Sequence, residues 1–476
     1  MTGVTHPRVQ HNLKNEPPTS RNEMKIFCKA RIVPISREFH RALSSEVNNS
    51  RHQSMKPRKP LLLDGSTGEG GGQLVRLACA LAAVTSQPIR IVKVRGNRGR
   101  GGGLKSQHVS AIEWLAKATE AEVNGLAVGS QTLDFRPVAP PTALKNRNII
   151  IRAEGSAAST LLIFQAVFPY LLFSGNEKGD PIELEIHGST NPSFSPSYEY
   201  LDQVLLPTLQ ERFAIVVERR LKKRGWTKGT LTQGAIWLKF QPIPLGQTLR
   251  LVKPWNDEPQ PGDLDKMRRI DVSILVPSAM REPMENAMVQ YLSAQFPEAE
   301  IDFVLNEESG HDSRMYVLAV AHSESGLRWG QDLLYDRSWK KKQITTIAME
   351  MAKSVTKRLR EQTVVYPAAV DGYLQDQLVV FQALAEGRTT YWSRATERRD
   401  TEAQPDLTEG LENLGLEKGL RKDKTHEPFG FGSTHARTAR WAASELMPTI
   451  QWFNNGAICE GAGISLPLKN DTSHLP

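Results

Sequence analysis

A short apolar segment, a glycine-rich turn and a longer apolar segment follow one another near residue 65, and this succession restricts the fold more than any other feature. Residues 61–63 are all leucine, the sequence DGSTGEGGG occupies residues 64–72, and apolar residues then recur with helical spacing from Leu74. The pattern predicts a strand, a tight turn and a helix. Glycine permits positive φ and close backbone approach, and a helix N-terminus attracts anions. A phosphate site is therefore one interpretation of this segment.

Three polar residues, Glu69, Gln73 and Arg76, follow the turn at spacings of four and three. These spacings place their side chains on one helical face, where they would order a phosphate and leave a carboxylate for a metal ion or a hydroxyl. The alternative is a tight turn with an exposed polar stripe, because glycine-rich motifs match by chance. The segment has neither the Gly-Lys-Ser/Thr of a Walker loop nor a dinucleotide fingerprint.

The order of the predicted elements indicates the fold class. Strands and helices alternate from residue 59 onward, and the unit of strands and two helices recurs, which predicts an α/β fold of two-layer α+β units. We expect a large domain formed by residues 57–239 and 361–476. An inserted small domain, residues 240–360, shows a β-α-β-β-α pattern. The last segment, from Gly432, is predicted as strand, helix and strand.

The charge distribution locates the basic surplus. The chain has 60 Lys and Arg residues and 52 Asp and Glu residues. The first 60 positions hold twelve of the basic and four of the acidic residues, so the rest of the chain carries 48 of each sign. Any polyanion site in the body must therefore be a local cluster. Residues 1–56 are predicted to be a disordered basic extension, and residues 388–428 a charged loop. The apolar runs are too short for a membrane span, and no heptad repeat indicates an oligomeric state.

Further candidate residues lie in segments that have ordinary alternatives. The basic, glycine-bearing segment with Arg95, Arg98 and Lys105 is either a phosphate or RNA-end site or a solvated loop. His435, considered without the other motifs, would be interpreted as a structural histidine whose ring nitrogens are hydrogen-bonded within the protein. The other single residues have comparable structural explanations, as a polar core residue, a helix start or its first turn; they are Gln165, Tyr373, Asp376 and Gln377. Three widely spaced cysteines form no CxxC pair and argue against a structural zinc site.

Taken together and in order, the motifs resemble those of the RNA 3'-terminal phosphate cyclase family. They are LDGSTGEGGGQLVR, VRGNRGRGGGLKSQH, GSAAST followed four residues later by Gln165, HGSTNPSFSP, GYLQDQL and STHART. The resemblance extends from about residue 60 to the end of the chain. It implies a large domain of repeated α/β units with an inserted small domain.

The resemblance also implies a reaction and its residues. A histidine, matched by His435, takes AMP from ATP; AMP passes to an RNA 3'-phosphate, and the 2'-hydroxyl displaces it to leave a 2',3'-cyclic phosphate. Nucleotide-binding positions of the family match Gln165, Tyr373, Leu374, Gln375, Asp376 and Gln377. Phosphate and RNA-end positions match Glu69, Gln73, Arg76, Arg95, Arg98, Gln107 and His108. The resemblance further implies a divalent ion, Mg²⁺ or Mn²⁺, with Glu69 as candidate ligand.

A second branch of the family provides the alternative function. Its members resemble the cyclases in fold but lack the histidine and act in ribosome biogenesis and pre-rRNA processing, so His435 with Thr438 favours the enzyme. Departures from the family pattern at residues 225–234, at Gly102 and at Ser197 affect the expected fit to substrate. A nuclear or cytoplasmic location follows from the resemblance, and mitochondrial targeting by the basic tail is the weaker alternative.

Overall fold

The computed structural model describes residues 58–99, 101–255, 266–337, 342–365, 367–391 and 420–467. The predicted N-terminal extension, residues 392–419 of the predicted charged loop, and Arg100 lie outside these ranges.

The first unit is built around the glycine-rich turn. Its sheet has the order β1-β2-β4-β3, with β1 and β2 parallel and the remaining pairs antiparallel. The parallel pair requires a crossover, which the first helix supplies. Its elements are β1 (Leu61–Asp64), α1 (Gly72–Thr85), β2 (Ile89–Val92), α2 (Ser106–Ala118), β3 (Glu122–Asn124) and β4 (Leu133–Arg136).

The second unit repeats the topology of the first. Its sheet order, β5-β6-β8-β7, again begins with a parallel pair and continues with antiparallel pairs. This recurrence confirms the predicted repeat, although the hairpin of β7 and β8 was not predicted, because charged residues interrupt its apolar pattern. The elements are β5 (Asn148–Arg152), α3 (Thr160–Leu172), β6 (Ile182–Gly188), α4 (Leu206–Phe213, entered through a π-helical stretch, Leu201–Leu205), β7 (Val217–Lys223) and β8 (Gly234–Phe240).

The segment predicted as a small domain forms a sheet of order β10-β9-β11-β12. It contains one strand more than the predicted β-α-β-β-α pattern, because Gly330, Gln331 and Asp332 hide the apolar alternation of β12. Its elements are β9 (Met267–Val276), α5 (Arg281–Gln295), β10 (Glu300–Glu308), β11 (Tyr316–Ser323), β12 (Arg328–Leu334) and α6 (Ile344–Arg360). The limits proposed for this domain remain a prediction.

The last described part of the chain corrects two predictions. Residues 388–390, predicted as the start of the charged loop, form a short strand. Residues from Gly432 do not form a strand; they lead into a helix, and two strands follow it in a sheet of order β13-β15-β14. The elements are α7 (Gly372–Leu384), β13 (Arg388–Thr390), α8 (Thr434–Leu446), β14 (Gln451–Phe453) and β15 (Ile458–Glu460). The α/β class itself is confirmed.

Helix α1 occupies the centre of the core. It contacts both α3 and α8, and apolar residues on all its sides are buried, among them Leu74, Val75 and Leu81. A helix that is apolar all round belongs in a core rather than on a surface. The N-terminus of this central helix is the glycine-rich turn. None of the helices in the described ranges combines the length and apolar character that crossing a bilayer requires.

Candidate active site

Two adjoining cavities lie at the glycine-rich turn. The Tyr373 cavity has a volume of about 520 Å³ and the Arg95 cavity about 500 Å³. Both are lined by Arg76, Leu162, Phe194 and His435. The Tyr373 cavity is also lined by Gln165, Asp332, Arg358, Gln362, Asp376, Gln377 and Ser433, among others. The Arg95 cavity is also lined by Glu69, Gln73, Arg98, Lys105, Ser106, Gln107, His108 and Val128, among others.

Four helices begin at the walls of these cavities. Helices α1, α2, α7 and α8 start at Gly72, Ser106, Gly372 and Thr434, and each supplies a lining residue from its start or from the residue just before it. The first N–H groups of a helix lack helical partners and carry the positive end of its dipole. Four such ends around one space favour a polyanionic ligand such as a chain of phosphates.

The glycine-rich turn is docked tightly against α8. Gly68 has a φ of +65°, and a methyl group there would lie 2.3 Å from Thr438 Oγ1. The backbone N–H of Glu69 donates to the same Thr438 oxygen at 2.8 Å. Thr438 Oγ in turn donates to the carbonyl of Thr434, one turn earlier. Glycine at position 68 thus allows the turn to place Glu69 beside the start of α8.

His435 is the second residue of α8, and it faces Glu69. Ser433 caps the helix by accepting from Ala436 N–H at 3.1 Å, which fixes the first turn on which His435 stands. His435 Nε2 lies 3.4 Å from Glu69 Oε1. Burial, followed by the positive charges of Arg76 and Arg98, lowers the pKa of His435 below its ordinary value of 6.5. The imidazole is therefore neutral near pH 7 and has the free electron pair that a nucleophile needs.

Glu69 is buried between two side chains. Its Oε1 is in ion-pair contact with Arg98 and lies near His435, whereas its Oε2 has neither a hydrogen-bond partner nor an ion-pair partner among the described residues. Buried polar atoms are normally satisfied, and an exception points to an absent ligand. A divalent ion bound by one carboxylate, waters and substrate phosphates would satisfy these oxygens. Within the described ranges no three His, Cys, Asp or Glu side chains are grouped closely enough to hold a metal by themselves.

Arg76 connects the two cavities. Its Nε donates to Gln165 Oε1 at 2.9 Å, and Nη2 donates to Gln73 Oε1 at 2.6 Å. Burial lowers the pKa of Arg76 to about 10, while the nearby Asp376 opposes the change. The guanidinium stays charged at neutral pH and is held in a fixed orientation, which suits bidentate recognition of a phosphate.

His108 presents one donor to the Arg95 cavity. Its Nδ1 accepts the backbone N–H of Lys105 at 3.1 Å, so in the neutral ring the proton resides on Nε2. Burial, followed by the charges of Arg76, Arg95 and Lys105, lowers the pKa of His108 well below its ordinary value. Nε2 is buried and has no hydrogen-bond partner in the part of the chain described. It is therefore a donor available to an anion.

Arg95 stands on strained backbone. Its φ is +55°, and Lys93 two residues earlier has a φ of +49°. Positive φ is uncommon outside glycine, and such strain is concentrated at functional sites. Arg95 Nη1 donates to the carbonyl of Gly103 at 3.3 Å, which tethers the guanidinium at the cavity.

Helix α7 forms the base of the Tyr373 cavity. Its cap, Asp371, accepts from Tyr373 N–H at 2.9 Å and Leu374 N–H at 2.8 Å, and also from the Tyr200 hydroxyl at 2.7 Å. The rings of Tyr373 and Tyr200 meet edge to face. Burial, partly opposed by Arg76, raises the pKa of Asp376 to about 7. Asp376 can consequently accept or donate a hydrogen bond near neutral pH.

Twelve of the fourteen predicted site residues line the two cavities; Leu374 and Gln375 do not. Leu374 is buried in the core, and Gln375 lies against Gly432. Successive helical residues project about 100° apart, so Tyr373, Asp376 and Gln377 share a face that excludes these two. The side chains of Leu374 and Gln375 are therefore directed away from the cavities, and a nucleotide-binding role for these two residues stays a prediction.

The structure adds residues that were not predicted. Asp332 and Arg358 reach the Tyr373 cavity from β12 and α6, the segment predicted as a separate domain, and no sequence pattern connected them with the site. Arg358 Nη2 donates to the Asp332 carbonyl at 2.9 Å. Phe194 belongs to the HGSTNPSFSP motif, which indicated that this segment belongs to the family pattern but did not identify Phe194 as a site residue.

The comparisons with known proteins agree on one family. A model of the RNA 3'-terminal phosphate cyclase family matches residues 67–405. Three proteins of that name are similar to the chain. The one from Methanosarcina mazei is 34% identical, over 68% of the chain and 87% of the relative. Those from Pyrococcus furiosus and Drosophila melanogaster are 30% and 31% identical, over 69% and 71% of the chain and 87% and 86% of the relatives, respectively. With this similarity over most of its length, the chain belongs to the RNA 3'-terminal phosphate cyclase family.

Proposed function

We propose that this protein catalyses the ATP-dependent cyclisation of an RNA 3'-phosphate through an AMP group carried on His435. One observation supports the proposal above others. His435 has a neutral imidazole and lines both cavities, at whose walls four helices begin. A nucleophile between two anion-attracting cavities can accept a nucleotide from one side and pass it to the other.

In the first step, a nitrogen of His435 attacks the α-phosphorus of ATP. An N–P bond forms, the bond between that phosphorus and the β-phosphate oxygen breaks, and pyrophosphate leaves. Tyr373 and Gln377 supply a ring face and an amide for the base and ribose in the Tyr373 cavity. Arg76 and the helix N-termini stabilise the charge that develops on the phosphate oxygens.

In the second step, an oxygen of the RNA 3'-phosphate attacks the same phosphorus, and the N–P bond breaks, which regenerates His435. The RNA 2'-hydroxyl then attacks the 3'-phosphorus, loses its proton to solvent or a nearby base, and displaces AMP. The product is a 2',3'-cyclic phosphate. Arg95, Arg98 and His108 are the donors in the Arg95 cavity that would orient the RNA end.

A divalent ion, Mg²⁺ or Mn²⁺, fits the buried oxygens of Glu69. Such an ion would neutralise triphosphate charge as pyrophosphate departs. Glu69 would bind it while the backbone N–H of Glu69 stays fixed by Thr438. Arg98, which contacts Glu69 in the ligand-free protein, would turn to the phosphates.

The function is tested with an RNA oligonucleotide that ends in a 3'-phosphate, incubated with ATP and Mg²⁺. We expect an RNA product that resists phosphatase, formed together with free AMP. We expect no such product from the same RNA ending in a 3'-hydroxyl or from the His435→Ala protein. If folded wild-type protein forms no such product, the proposal fails. The alternative, a non-catalytic role in ribosome assembly, would then be preferred.

A further inference from the structure

Phe194 occupies an unusual position for an aromatic residue. The residue is 52% exposed, and it is the only aromatic one among the exposed large apolar residues in the described ranges. Single exposed apolar residues are common on protein surfaces and need no explanation. The location of Phe194 is what distinguishes it, because its side chain lines both cavities beside His435.

The loop that carries Phe194 is fixed on both sides of the ring. On one side, the Ser193 N–H donates to Thr227 Oγ1 at 3.2 Å. On the other, Ser195 Oγ and Ser159 Oγ form a hydrogen bond of 2.7 Å. Ordering a side chain before its ligand arrives reduces the entropy lost on binding. These tethers therefore prepare Phe194 to present its ring to a ligand.

The two cavities differ in what they offer a nucleobase. The Tyr373 cavity has a ring of its own, Tyr373. The Arg95 cavity is lined by cations, helix N-termini and a few apolar side chains, and among the described residues Phe194 is its only Phe, Tyr or Trp ring. Val128, which is 58% exposed, lines the same cavity and offers a second apolar surface. The two imidazoles of this cavity, His108 and His435, are assigned to the phosphate and to the nucleophile, so Phe194 is the ring left for the base of an RNA end bound there.

We propose that Phe194 stacks on the terminal nucleobase of the RNA end, while Arg95, Arg98 and His108 bind its 3'-phosphate. This inference rests on the proposed function and names a positioning residue for its RNA substrate. Stacking on an aromatic ring tolerates every base, because each base has a π-face. The protein would therefore select RNA by its phosphorylated end and by the presence of a base, rather than by sequence.

The test measures binding without catalysis. An RNA oligonucleotide with a 3'-phosphate and a terminal 2-aminopurine, whose fluorescence falls on stacking, is titrated with protein in the absence of ATP. Loss of one base–aromatic stack should raise Kd by about 5- to 150-fold in Phe194→Leu. Phe194→Tyr should restore binding. Leu62→Ala, which removes an exposed apolar side chain outside both cavities, is the matched control and should bind like wild type.

A second oligonucleotide, whose terminal nucleotide lacks its base, separates stacking from other effects. The wild-type protein should bind this base-free RNA as weakly as the Phe194→Leu protein binds the 2-aminopurine RNA. The Phe194→Leu substitution should not weaken binding of the base-free RNA any further. Equal affinity of wild type and Phe194→Leu for the 2-aminopurine RNA would overturn the inference. The inference would also be overturned if Phe194→Leu lowered label incorporation from ATP in the absence of RNA, because the ring would then contact the base of ATP. Binding with the expected Phe194 dependence, but without a cyclic product, would refute the proposed function and leave the stacking role intact.

Discussion

Replacing Gly72 by alanine should lower the activity of the protein while leaving its stability almost unchanged. A methyl group at this position would lie 2.7 Å from both Arg76 Nη1 and His108 Nε2, and Cβ atoms essentially never approach other atoms within 3.0 Å. Ordinary contact at 3.4–4 Å requires these two groups to move by about 1 Å, and misplacement of this size costs roughly 100-fold in rate. Gly72 has no positive φ, so alanine fits its backbone.

The expected change in the free energy of unfolding is small, because two effects oppose each other. Alanine in a helix is favoured over glycine by up to about 1 kcal/mol, and this gain offsets the crowding of two side-chain ends. We therefore expect kcat/KM for cyclisation to fall about 10- to 100-fold, while the free energy of unfolding in urea changes by no more than about 1 kcal/mol. Gly99→Ala is the control, because a methyl group at Gly99 meets nothing within 4 Å. Wild-type activity in Gly72→Ala would refute the assignment of Arg76 and His108 to the substrate.

Three further predictions concern His435 and its supports. Because the pKa of His435 lies below 6.5, protonation of His435 should reduce label incorporation from ATP only in solution more acid than about pH 6.5, and Arg98→Gln should move that decline to higher pH. Thr438→Ala removes the hydroxyl that accepts the Glu69 N–H, so it should lower the free energy of unfolding in urea by about 1–2 kcal/mol and slow label incorporation. Thr438→Ser keeps the hydroxyl and should retain wild-type stability and labelling. Ser433→Ala removes the cap of α8 and should lower stability by about 1 kcal/mol in the same assay; an unchanged midpoint would contradict the capping role.

The sequence predicted the parts of the site that follow from local pattern. Gln73 and Arg76 were placed on one helical face by their spacing, and both line the Arg95 cavity. Glu69 was predicted on the same helical face but lies in the turn before α1, so the turn and not helical spacing brings it to that cavity. The repeated units followed from the alternation of strands and helices. Leu374 and Gln375 were included because they belong to a contiguous motif, but side-chain direction in a helix changes with every residue.

Other parts of the site depend on tertiary contacts. The approach of His435 to Glu69 joins two ends of the described chain, and local periodicity carries no information about such a pair. The same is true of Asp332 and Arg358, which reach the Tyr373 cavity from a segment predicted as a separate domain. The strained backbone at Arg95 is likewise set by the packing around it.

The most direct test of the central claim is the chemical identity of the label that the protein takes from α-labelled ATP. Wild-type protein with Mg²⁺ should retain label after denaturing electrophoresis, and a phosphoramidate at His435 makes that label acid-labile and alkali-stable. The His435→Ala protein should take up none. Label that survives acid, or equal labelling of the two proteins, would contradict the account.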